Sequence, residues 1–100
     1  MKIGIFPNMG KEALYTFWGK LISILQAKHI EYYVAEYARG GFESRDIAID
    51  KDRYKSTNWM GKNLNYASSD FKSFCYGGET KNCKTYGRLY QSGTEDVCPE

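Results

Sequence analysis

The sequence predicts an α/β fold: a small βαβ unit, partial Rossmann-like in type, followed by an irregular half that is rich in aromatic residues and holds the cysteines. Two short β-branched and aromatic runs flank a long stretch of helical apolar period near the start of the chain. The style of the sequence then changes near Tyr54. Residues 1–53 contain no cysteine, whereas residues 54–100 hold all three, in glycine- and tyrosine-rich surroundings.

Lys2-Ile3-Gly4-Ile5-Phe6 reads as the first strand, centred on Ile3–Phe6 and closed by the turn-forming Pro7-Asn8-Met9-Gly10. From Lys11 to Lys28 the period is helical. Leu14, Phe17, Trp18, Leu21, Ile22, Ile24 and Leu25 recur at steps of three and four, giving a broad apolar face from which Glu12, Lys20 and Lys28 mostly point away. Gly19 weakens this helix by roughly 1 kcal/mol relative to Ala, unless it permits close packing against a strand. His29 is expected to be a solvent-exposed residue at the helix end, and Ile30–Val34 has the composition of a second strand. A strand, a crossover helix and a strand in ~30 residues form a βαβ unit with parallel strands and a right-handed crossover.

Beyond that unit, Ala35 to Arg39 is expected to make one helical turn that Gly40-Gly41 ends. Phe42–Asp50 contains Ile47-Ala48-Ile49, a weaker strand candidate, and Asp50-Lys51-Asp52-Arg53 reads as a solvated loop. A βαβ unit alone cannot bury both faces of its sheet, so residues 54–100 or a partner must cover it.

The chain has 100 residues, room for about one small domain, so residues 1–53 and 54–100 are two segments rather than two independent domains. Its 14 basic and 12 acidic residues leave a net +2, with eight against seven up to residue 53 and six against five after it. No basic stripe emerges, and charge makes no case for nucleic acid or a membrane surface. The apolar run after Lys2 is broken by Gly4 and Pro7, too short for a signal-peptide core, and Ala13–Ala27 is interrupted by Lys20, Ser23 and Gln26, which excludes a membrane span. A cytoplasmic location is expected on these grounds.

Met1-Lys2-Ile3-Gly4-Ile5-Phe6-Pro7-Asn8, then Lys11-Glu12-Ala13, Ala27-Lys28-His29-Ile30-Glu31 and Phe42-Glu43-Ser44-Arg45, resemble the N-terminus of bacterial NAD kinases. The resemblance implies the opening of a Rossmann-like domain, with the strand-loop of Asn8 at the edge of a nucleotide site and with Asn8 and Gly10 as the residues that would touch ATP or NAD. The family's Gly-Gly-Asp-Gly-Thr loop and its later Asn-Glu motif are absent. Position 29 is His where a helix-ending Gly is usual. Phosphoryl transfer needs a metal, phosphate-binding groups and a positioned acceptor, and residues 1–53 supply no complete set. No autonomous catalysis and no cofactor are expected.

Asn58-Trp59-Met60-Gly61-Lys62-Asn63-Leu64-Asn65-Tyr66, Cys75-Tyr76, Asn82-Cys83, Tyr86-Gly87-Arg88-Leu89-Tyr90 and Val97-Cys98-Pro99-Glu100 resemble the start of the Fibrobacter succinogenes major paralogous domain. That family implies a secreted or surface-attached bacterial protein related to C-type-lectin-like folds, without established chemistry. Under the family register and in an oxidising setting Cys75 and Cys83 would close a loop worth roughly 2–3 kcal/mol, leaving Cys98 unpaired and free to drive a dimer. In a cytoplasmic setting all three are expected to remain thiols.

Other chemistries are weaker. Cysteines 8 and 15 residues apart with the single histidine far away lack the close pairs of a structural zinc site. Nothing near Cys98 in sequence would lower its pKa. Trp18 and Phe17 are expected in the core. Trp59, Tyr86 and Tyr90 are first expected to pack and, failing that, to be ligand-stacking residues. Three functional readings follow: a non-catalytic fragment with an NAD-kinase-like opening, a surface binding module of the paralogous type, or an artificial composite without selected activity. A homodimer would use an exposed sheet or Cys98.

Overall fold

A computed structural model describes residues 1–66, 68–76, 86–93 and 97. In chain order these form β1 (Lys2–Pro7), α1 (Glu12–Ala27), β2 (Glu31–Ala35), α2 (Arg39–Ser44), β3 (Tyr54–Lys55), α3 (Thr57–Asn63), β4 (Phe71–Tyr76) and β5 (Gly87–Ser92), with 3₁₀ turns at Glu36–Ala38 and Lys51–Arg53. The strands make one mixed sheet in the order β3-β2-β1-β5-β4. The α/β class and the βαβ opening are therefore present. β1 and β2 run parallel, with Ile3 beside Tyr32 and Ile5 beside Val34, and β3 continues the parallel side through Val34 and Tyr54.

The sheet crosses the compositional break at Tyr54. β5 lies antiparallel to β1, Ile5 opposite Leu89 and Pro7 opposite Gly87, and β4 pairs antiparallel with β5. Side chains alternate across each strand, which divides the interior in two. Ile3, Ile5, Tyr32, Val34, Tyr54 and Leu89 meet Leu14, Trp18, Leu21, Ile22 and Leu25 of α1 and Phe42 of α2. On the opposite face a smaller cluster joins Ala35 to Met60 and Leu64, with Phe6, Tyr33 and Trp59 around it. The second half thus supplies both strands and a covering helix.

The expected element edges hold within one residue for β1, α1 and β2. Trp18 is fully buried, and Phe17 is half-buried against the same core. Gly19 does not permit a close strand approach: a Cβ there would sit 3.7 Å from Ile47, an ordinary contact.

Two local expectations are corrected. Ile47-Ala48-Ile49 is not a strand; Ile47 and Ile49 instead cap the core with their side chains, which an apolar pair can do without a hydrogen-bonded ladder. Gly40-Gly41 does not end a helical turn, because α2 runs through both. Phe42, fully buried, anchors that helix, and its packing outweighs the helix cost of two glycines.

Among the described residues each α-helix is followed by a left-handed residue that is not glycine, Asn65 (φ 51°) standing after α3. After α1, His29 has φ 56°, its N–H donates to the Gln26 carbonyl at 3.2 Å and the Ile30 N–H to the Leu25 carbonyl at 2.9 Å. Asp46, φ 58°, repeats the pattern after α2, with its own N–H on Glu43 and the Ile47 N–H on Phe42. This is the Schellman closure. At position 29, where a helix-ending Gly is usual, the left-handed cap is formed with the histidine.

Candidate functional site

Asn8 and Gly10 lie where an α/β sheet most often binds ligands, in the loop after β1 at the carboxyl end of the parallel strands. Gly10 adopts φ +112° with open space about it. The backbone beside it is already engaged. The Asn8 N–H donates to the Tyr86 carbonyl at 2.8 Å, and the Trp18 indole donates to the same oxygen at 3.0 Å. The Tyr37 hydroxyl donates to the Pro7 carbonyl at 2.6 Å. In the first turn of α1, where a phosphate would meet the helix dipole, stands Glu12, bound by the Arg45 guanidinium. That hydrogen bond holds the Glu12 carboxyl below its usual range.

The stacking candidates have ring partners within the chain. Trp59 lies 5.0 Å from Tyr33 and carries the Lys55 ammonium at 4.8 Å. Tyr90 meets Tyr66 at 4.6 Å and Phe6 at 5.5 Å. Tyr86 packs 5.5 Å from Phe17. Each ring is half-buried.

Cys75 sits on β4, exposed, and is disulfide-bonded, so the reduced state expected of all three cysteines does not hold there. Cys83 and Cys98 lie outside the described residues. Among the described residues no group of three or more His, Cys, Asp or Glu could hold a metal, and no helix is long and apolar enough to cross a membrane.

A concavity lies at the other end of the parallel strands, beside the start of β2. It is a groove of about 530 Å³ between the α1 exit and the Lys51–Arg53 turn. Ile30 gives it apolar surface in front of the fully buried Leu25, while His29, Glu31, Asp50 and Arg53 bring ionisable groups. Arg53 is laid over two rings, 5.1 Å from the Tyr32 centroid and 5.9 Å from that of Tyr33. Its Nη1 is 3.5 Å from the Tyr32 carbonyl oxygen, too long for a strong bond. The Tyr33 hydroxyl donates to Glu31 at 2.7 Å; that bond raises the Tyr33 pKa. Gln26 ties the rim together, donating to the Tyr32 hydroxyl at 3.1 Å and to the Ala48 carbonyl at 2.9 Å.

Sequence reasoning missed this groove because the run from Asp50 to Arg53 reads as solvated. The sequence carries no local signal for it, because Arg53 meets the Tyr32-Tyr33 pair only once β2 and β3 are neighbours.

A second polar oddity lies under α2. Tyr54 is 8% exposed and its hydroxyl has no hydrogen-bond partner among the described residues. Burial pushes its pKa up to about 12.

No protein-family model, curated protein or solved structure matches this chain.

Proposed function

We propose that the chain is a non-catalytic binding module. The observation that carries this reading is the engaged carboxyl end of β1: the Asn8 N–H and Pro7 carbonyl are spent on Tyr86 and Tyr37, and Glu12 stands at the helix start. A phosphate cradle needs free backbone N–H groups and an uncharged or basic helix start. With the missing Gly-Gly-Asp-Gly-Thr loop, this supports an NAD-kinase-like opening without kinase chemistry. The test is an assay with NAD, ATP and magnesium at high protein concentration. No NADP is expected; metal-dependent NADP formation that survives repurification and is lost in Asn8→Ala would overturn the reading.

A second reading concerns where the module works. The disulfide at Cys75 favours an oxidising setting, as expected for a surface or extracellular protein of the paralogous-domain kind. Thiol counting on protein produced in an oxidising compartment should find Cys75 blocked. A fully reactive Cys75 under those conditions would remove this support.

A further inference from the structure

The groove beside β2 brings together two opposite charges that do not meet. Asp50 and Arg53 both line it, held apart by a 3₁₀ turn in which the Arg53 N–H donates to the Asp50 carbonyl at 2.9 Å. Among the described residues neither side chain forms an ion pair. The Arg53 guanidinium carbon lies over the rings of Tyr32 and Tyr33, and beside the long Nη1 contact to the Tyr32 carbonyl no carboxylate among the described residues engages its N–H groups, which suit a carboxylate fork. Glu31 accepts from the Tyr33 hydroxyl, whereas the exposed Asp50 carboxylate has no side-chain partner among the described residues.

A guanidinium and a carboxylate on one wall, neither neutralising the other, are complementary to a molecule that carries both charges in reverse. We propose that this groove binds a free α-amino acid with a large apolar side chain. Its carboxylate meets Arg53, its ammonium meets Asp50, and its side chain covers Ile30. The volume of about 530 Å³ falls within the range of small-molecule sites and favours a bulky side chain over a small one. The proposal rests on the binding-module reading and names the ligand class for it.

Three matched probes test it by proton–nitrogen NMR on the full chain: L-phenylalanine, 3-phenylpropionate, which lacks the ammonium, and 2-phenylethylamine, which lacks the carboxylate. Phenylalanine should shift the amides of Ile30, Glu31, Asp50 and Arg53. Each analogue should bind about fivefold more weakly, the loss of one screened ion pair. Arg53→Gln should weaken phenylalanine and phenylpropionate but not phenylethylamine, and Asp50→Asn should do the converse. Asp50 is exposed, so its variant keeps the test valid if Arg53→Gln loosens the turn. Absent groove shifts up to ~10 mM phenylalanine, well above a typical weak-site Kd, would overturn the proposal, as would equal binding of the three probes or no effect of Asp50→Asn. NADP formation in the kinase assay would instead strike the binding-module reading.

Discussion

The two sides of β1 are held by different physics. On the parallel side, α1 joins β1 to β2 and buries Leu14, Trp18, Leu21 and Leu25 against both, so pairing and burial come from one continuous stretch of chain. On the antiparallel side, β5 reaches β1 from 80 or more residues away, and its outer neighbour β4 is exposed at four consecutive positions, 72–75. The first side is stabilised by a helix that links its two strands, the second by a five-residue register with Leu89 buried against that same helix and a tight join at its end. That join is Gly87, opposite Pro7 at the end of β1.

The largest effect should therefore come from the join. Gly87 has φ +136°, and a Cβ there would fall 2.4 Å from the Phe6 carbonyl oxygen and 2.7 Å from the Pro7 Cα. Backbone atoms cannot step aside as a side-chain end can. Gly87→Ala should cost about 4 kcal/mol, combining strain in a left-handed conformation with overpacking, and should release the Asn8 N–H from Tyr86. Chemical denaturation checks the first, amide exchange at Asn8 the second. A loss under ~1 kcal/mol, the scale of an ordinary surface change, would mean that β5 does not depend on this register.

Next in size is a break on the parallel side. Leu21 is fully buried on α1, and Leu21→Ala should cost about 2–5 kcal/mol. If the two sides are one cooperative unit, amide exchange should quicken in β5 as well as in β2. Quickening confined to β1, α1 and β2 would separate them.

Tyr54 sharpens the comparison from the β3 edge. Its hydroxyl is buried without a partner among the described residues, so Tyr54→Phe should stabilise the fold by about 1 kcal/mol. The ordinary tyrosine pKa of 10 rises to about 12 in the fold, so between these values the unfolded chain loses the proton while the folded chain keeps it. Stability contributed by the neutral hydroxyl is complete below pH 10 and is lost as pH rises toward 12. The slope of stability against pH in that window should be shallower in Tyr54→Phe. Because Tyr33 and Tyr37 are also shifted upward, the measurement is the difference between the two proteins. Equal slopes would mean that Tyr54 titrates normally.

The smallest change should be a gain. His29→Gly at φ 56° removes a left-handed β-carbon and should stabilise by about 0.5–1 kcal/mol, read as a raised thermal midpoint. It should leave β5 exchange unaltered relative to the global gain. A destabilised variant would show that the imidazole packs favourably at the α1 exit.

Much of the parallel side was legible in the chain. Leu14, Trp18, Leu21 and Leu25 betray α1 because a helix returns the same face every three or four residues, and Ile3–Phe6 betray β1 by composition. Ile47-Ala48-Ile49 misled because apolar residues at a core rim resemble a strand in composition while making no ladder. Of the site, Asn8 and Gly10 were legible as a loop after a strand, but the engagement of the Asn8 N–H by Tyr86 and of the Pro7 carbonyl by Tyr37 was not. The groove of Asp50 and Arg53 was invisible for a similar reason: it needs Tyr32 and Tyr33 from β2 beside the turn before β3.

By itself, then, the sequence determined the βαβ opening, the buried face of α1 and the change of character near Tyr54, since all three are set by neighbours within a few turns of chain. Only the tertiary structure decided that β5 lies against β1, that α3 covers the opposite face from α1, and that Arg53 rests on two tyrosines with Asp50 nearby in one groove. These are pairings across tens of residues, chosen by register, close approach at Gly87 and burial of the remaining sheet face. Local period carries no record of them.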